Sequence, residues 1–72
     1  MRFCIAGYGA IAGHHRDALL GIDGVSIDAV MGRRIGPTRE FARTCGATLA
    51  TTDLTEALAR PKIDAVLVAS PS

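Results

Sequence analysis

The chain has 72 residues, about half the usual size of a domain, with Lys+Arg 8 against Asp+Glu 7 and a formal net charge of +1. One small domain is the most it can hold, and a charge this even gives no general attraction to nucleic acid or to a membrane surface. Cys4 and Cys45 are too few for a disulfide scaffold, and no apolar run approaches the roughly 20 residues of a membrane helix, so a soluble protein of the reducing cytoplasm is expected.

From the N-terminus, Phe3 to Ala6 reads as a short buried strand with Cys4 as a small buried thiol, and the glycines that follow fit a turn better than a signal peptide. Ala10 to Leu20 has helical length, with Ile11, Ala18 and Leu19 expected to face a sheet, and Gly21 in the turn "GIDG" ends it. "VSIDAVM", Val25 to Met31, alternates as a second strand, Val25, Ile27, Ala29 and Met31 on one side, Ser26 and Asp28 on the other. A second helix is expected from Pro37 to Cys45, with Gly36 as its cap, Pro37 in the first helical position, Glu40 in the first turn and Gly46 as terminator. "ATLAT" is a weak third strand. "TDLTEALAR" is a short third helix with Asp53 and Glu56 at capping-box spacing and Pro61 as a stop. Asp64 opens a fourth strand that runs apolar from Ala65 to Ala69, as expected of a parallel strand covered on both faces.

Strand and helix alternate throughout, without repeats or linkers, which predicts an α/β chain with a parallel sheet and right-handed crossovers. The expected order is 3-2-1-4, half of a doubly wound, Rossmann-type sheet. The fourth strand would then carry an unpaired apolar edge, so residues 1–72 read as the N-terminal part of a longer dinucleotide-binding domain, or as a truncated one.

"GYGAIAGHH" lies where the first strand meets the first helix. Gly7 allows a tight turn, Gly9 lets backbone approach a pyrophosphate, and the small Ala12 lets the helix pack close to the strand. Tyr8, Ala10 and Ile11 complete the turn, and the helix start offers unpaired N–H groups and a positive dipole end to phosphate. A glycine turn without a ligand is the alternative. At the end of the second strand, where an acid would hold the ribose hydroxyls of NAD, the residues are Gly32, Arg33 and Arg34. Two guanidiniums suit a 2′-phosphate and favour NADP over NAD, with Arg33 also able to stack on adenine; a pair of solvated arginines is the other reading.

His14 and His15 are adjacent on a helix and cannot chelate one ion together; His15 is expected to pack or hydrogen-bond near the helix start, with His14 solvated and Arg16 and Asp17 as surface charges. No metal site and no catalytic residue emerges. Ser70 and Pro71 close the fourth strand at the edge where ligands bind, and read equally as cofactor lining or as ordinary turn chemistry.

With these residues in place, the chain resembles the N-terminal cofactor domain of the glucose-fructose oxidoreductase, inositol dehydrogenase and rhizopine-catabolism (Gfo/Idh/MocA) family. "GYGAIAGHHRDAL" is similar to the family's opening glycine stretch, with His15 on its recurrent histidine, and "DLTEALARPKIDAVLVASPS" resembles its third helix and fourth strand. By position, Gly7, Gly9, Ala12, Ser70 and Pro71 carry over, while Gly32 departs from the Asp common in NAD-dependent members. The resemblance implies hydride transfer between a nicotinamide dinucleotide and a sugar, inositol or related hydroxyl. It also implies a second domain for substrate and for any homo-oligomer contacts. The family's catalytic lysine lies in a Glu-Lys-Pro stretch absent here, and Lys62 does not match it. A non-catalytic nucleotide-binding module and an inactive fragment are the alternatives to an oxidoreductase.

Overall fold

A computed structural model of the chain describes residues 1–7, 9–59 and 63–69. Four strands, β1 (Arg2–Ala6), β2 (Ser26–Met31), β3 (Leu49–Thr51) and β4 (Ala65–Val68), form one parallel sheet in the order β3-β2-β1-β4. Helices α1 (Ala10–Leu20), α2 (Ile35–Cys45) and α3 (Leu54–Leu58) connect them. The expected topology therefore holds, and α1 has the expected bounds.

The core is divided by the sheet. Ile5, Ile27 and Val30 pack with Ala12 of α1 and with Ala42 and Cys45 of α2, while Cys4 and Ala29 pack with Ala57 of α3. Full burial of Ile5 and Val30 contributes about 1.5–3 kcal/mol each, which is large for so small a core.

Ile27 and Ala29 belong to opposite faces, against the simple alternation expected of this strand. Phe3 pairs with Ile27 but Cys4 pairs with Ala29, so Asp28 is an extra residue in β2, and the bulge resets which side each later residue faces. The bulge is held by two residues. The Asp28 carbonyl accepts from the Thr48 N–H at 3.1 Å and the Thr48 hydroxyl at 3.3 Å, and its carboxylate meets the Arg2 guanidinium at 3.3 Å.

Helix phase overturns two further expectations. Ala12 and Leu19, two turns apart, face the sheet, whereas Ile11 and Ala18 are exposed. Arg16 shares the inward side with them. Its Nη1 donates to the Thr44 hydroxyl at 2.8 Å, its Nε to Asp17 at 2.9 Å, and its guanidinium lies 5.5 Å from the Phe41 ring centre, so it clasps α1 to α2 instead of standing free. His14 and His15 are both exposed, so the packing expected of His15 is absent.

Helix α2 starts at Ile35, two residues before the expected Pro37, so Gly36 is helical instead of a cap and Glu40 lies beyond the first turn. Proline is tolerated at the third helical position because the first N–H groups of a helix lack intrahelical partners in any case. Gly46 ends α2 as expected: it adopts φ 71°, its N–H reaches the Arg43 carbonyl at 3.2 Å, and the Ala47 N–H reaches Ala42 at 3.0 Å.

Strand β4 departs from the fully covered strand expected. Among the described residues it pairs only with β1, and Val68 is 71% exposed on the face that α3 leaves bare. Asp64 pins its start: the Asp64 carboxylate accepts the Arg2 N–H and the Asp64 N–H reaches the Arg2 carbonyl, each at 2.8 Å. No described helix is long and apolar enough to cross a membrane.

Candidate functional site

The carboxyl ends of β1, β2 and β3 meet at one edge of the sheet, tied by two backbone bonds. The Gly7 N–H donates to the Met31 carbonyl at 2.6 Å, and the Gly32 N–H donates to the Thr51 carbonyl at 3.1 Å. Gly7, Gly32 and Arg33 are thereby placed side by side on adjacent strand ends, as the strand order predicts for a ligand edge.

Gly7 at φ 127° and Gly9 at φ 119° occupy backbone regions that side chains disfavour, so the turn from β1 into α1 requires both glycines. Among the described residues, a Cβ built on Gly9 would meet nothing within 4 Å, leaving open space in front of the helix start. Behind that start, Ala12 is completely buried against the sheet, the close approach its size allows. Ile11, instead of packing inward, stands 61% exposed beside Gly9.

The ends of the three helices differ in how they treat their unpaired N–H groups. Gly9 caps α1 with no side-chain hydrogen bond, and α1 has no acidic residue in its first turn. Arg34 caps α2, again with no side-chain bond and no acid in the first turn. A cation at a helix N-terminus opposes the dipole at a cost of about 0.3–1 kcal/mol, so Arg33 and Arg34 are unfavourable to α2 itself. In α3, by contrast, the Asp53 carboxylate accepts the Thr55 N–H at 2.9 Å and Glu56 stands in the first turn. The expected capping box is only half formed, because the Asp53 N–H is taken by the Thr51 hydroxyl at 3.0 Å and not by Glu56.

Arg33 and Arg34 are exposed and enter no ion pair among the described residues. Arg34 is nonetheless held by its backbone: its carbonyl accepts the Thr38 N–H at 3.1 Å and the Thr38 hydroxyl at 2.5 Å. Thr38 is fully buried, and sequence reasoning overlooked it; a threonine four residues after the helix cap was the available signal. Gly32 is buried with its N–H already engaged, so toward a ligand it offers only the lack of a side chain. Tyr8, Ser70 and Pro71 lie outside the described residues, as do Pro61 and Lys62.

Both cysteines are free and buried, and burial pushes each thiol above its ordinary pKa, which leaves them poor nucleophiles. The site thus offers glycine turns, helix N-termini and guanidiniums, a set suited to holding phosphates and not to transferring protons.

Residues 1–72 match the family model described as the oxidoreductase family, NAD-binding Rossmann fold (GFO_IDH_MocA). The chain belongs to the Gfo/Idh/MocA family. It is 43% identical over its full length to the 4-carboxy-2-hydroxymuconate-6-semialdehyde dehydrogenase of Sphingobium sp. (strain NBRC 103272 / SYK-6), covering 23% of that protein. A probable dehydrogenase from Thermotoga maritima superimposes with a TM-score of 0.86 at 32% identity, over 99% of this chain and 21% of that one. GenD2 from gentamicin A biosynthesis, solved in complex with NAD, superimposes with a TM-score of 0.92 at 30% identity, over 100% of this chain and 20% of that one. The chain therefore spans about a fifth of the length of these relatives. It carries the NAD-binding Rossmann fold of a Gfo/Idh/MocA oxidoreductase.

Proposed function

We propose that this Gfo/Idh/MocA chain holds NADP in preference to NAD and presents its nicotinamide for hydride exchange with a small molecule. The observation that carries the reading is the start of α2, where Arg33 and Arg34 occupy the place of an acid. Two cations that the helix alone disfavours become favourable when a 2′-phosphate sits between them, and no carboxylate competes for the ribose. Gly7, Gly9 and the N–H groups opening α1 take the pyrophosphate; Ala12 lets α1 approach closely, and Ile11 supplies an apolar wall beside the turn. Ser70 and Pro71 complete the pocket in this reading, with Tyr8 and Ala10 in the turn.

The hydride partner is a carbon bearing a hydroxyl or carbonyl, as in a sugar, an inositol or an aldehyde; the Sphingobium relative is named for a semialdehyde. Residues 1–72 form the front of the cofactor domain, and groups acting on the substrate belong to the rest of the protein. The share of each relative that the chain spans supports this.

Titration of the protein with NADPH and NADH, followed by nucleotide fluorescence, tests the cofactor reading. NADPH is expected to bind at least about tenfold more tightly, a difference of roughly 1.4 kcal/mol. Gly32→Asp combined with Arg33→Ala should reverse the order, since it exchanges a phosphate fork for a hydroxyl acceptor. An unchanged preference in that variant would place the ribose elsewhere.

A further inference from the structure

Residues 33–43 contain Arg33, Arg34, Arg39 and Arg43 against the single acid Glu40, a net +3 in a chain whose total is +1. The other residues therefore sum to −2, and all of the surplus positive charge lies on α2 and its entry. Arg39 and Arg43 are four residues apart and so share one exposed face, flanking an open groove of about 480 Å³ between α2 and β3. Arg43 meets Glu40 at 3.2 Å, a pair with both side chains more than 70% exposed; Arg39 enters no ion pair among the described residues.

The opposite end of the sheet has the opposite sign. Asp23 lies in the turn before β2, Asp28 near the start of β2 and Asp64 just before β4; the cations at this end are Arg2, which pairs with Asp28, and the N-terminal ammonium, which donates to the Gly24 carbonyl. The net positive charge is thus concentrated along α2, whose start lies at the edge where Gly7, Gly32 and Arg33 meet and whose last turn, with Arg43, reaches toward the start of β3, while the acids Asp53 and Glu56 stand at the start of α3. Folding accounts for only part of it: Arg43 stands in the last turn of α2, where the dipole favours a cation, and pairs with Glu40, whereas Arg39 has neither advantage among the described residues and lies one helical turn from a like charge.

We propose that Arg39 and Arg43 act as steering residues, drawing an anionic dinucleotide toward the start of α2 without touching it once bound. The inference rests on the cofactor reading above for what arrives. By helical rise, Arg39 and Arg43 lie about 7 and 13 Å along the axis from Arg34. Those distances fall well within the roughly 30 Å screening length at 0.01 M salt, whereas at physiological salt, where it is about 8 Å, Arg39 lies near the limit and Arg43 beyond it. Such a field raises the encounter rate and leaves the escape rate of the bound ligand unchanged.

Stopped-flow association of NADPH and of NADH with the full protein tests this, using Arg39→Gln/Arg43→Gln and, separately, Glu40→Gln. At about 0.01 M salt the arginine double variant should bind NADPH about three- to tenfold more slowly and Glu40→Gln about twofold faster, with unchanged dissociation and with differences that fade by about 0.5 M salt. NADH should show the same order over a narrower range, because it lacks the 2′-phosphate. Equal association rates at low salt would overturn the proposal. So would a change in dissociation that survives high salt, since that signals direct contact. Glu40→Gln keeps the test open if the double variant fails to fold. Loss of the NADPH preference with the rate order intact would overturn the cofactor reading alone, and the reverse result would overturn steering alone.

Discussion

Asp53 closes the start of α3 with its own carboxylate and Glu56 adds a second negative charge there, whereas α1 opens on Gly9 and α2 on Arg34 with no acid in either first turn. All three helices face the same electrostatic problem, a cluster of unpaired N–H groups at the positive end of the dipole. The five-residue α3 answers it internally. The two longer helices, whose starts lie at the ends of β1 and β2, leave it to something else. The difference teaches that missing caps carry information: a helix without its own anion, opened by glycines in conformations that side chains disfavour or by cations, is arranged to receive one.

Giving α1 the solution used by α3 should have the largest effect. Gly9→Asp is expected to weaken dinucleotide binding at least about 100-fold in a fluorescence titration, because the new carboxylate occupies the phosphate position. It should also lower thermal stability by roughly 1–3 kcal/mol, since φ 119° disfavours any side chain. Retained binding would show that the open space before α1 is not the pyrophosphate site.

The same exchange in α2 separates stability from binding. Arg34→Asp supplies a cap and a favourable charge, so chemical denaturation should show a gain of about 1 kcal/mol while NADPH affinity drops about 10- to 100-fold. A variant that loses both, or gains both, would break the contrast. The control is Asp53→Ala, expected to cost about 1 kcal/mol of stability and to leave nucleotide affinity unchanged.

The smallest expected effect compares the two faces of the core. Burial raises the pKa of Cys45 at the end of α2 and of Cys4 facing α3 above that of the unfolded thiols. A group raised in the folded state favours folding fully below its unfolded pKa, so stability should begin to fall as pH rises past roughly 8.5. Denaturation curves between neutral and alkaline pH measure this, and replacing either cysteine by alanine should remove part of the alkaline slope.

Much of the framework was legible along the chain because it depends on local signals. Gly46 ends α2 through a left-handed residue that only its missing Cβ makes easy, and Asp53 caps α3 through a bond that spans two residues. The glycine spacing at Gly7 and Gly9 likewise announced a turn before any contact was known. The start of α2 was harder to read, because Pro37 suits several early helical positions and its own chemistry does not choose among them. Ile11 and Ala18 were misplaced because an apolar helix such as "AIAGHHRDALL" offers more than one hydrophobic face.

By itself, then, the sequence determined the alternation of strands and helices, the strand order, the glycine turn after β1 and the absence of an acid after β2. Each of these follows from neighbouring residues or from the handedness of short crossovers. Only the tertiary structure decided that Asp28 bulges, that Arg16 joins α1 to α2, and that the Thr51 carbonyl ties the end of β3 to Gly32. These are pairings between distant residues, such as Arg2 with Asp28 or Arg16 with Thr44, and a pairing acquires its energy only when folding brings both partners together.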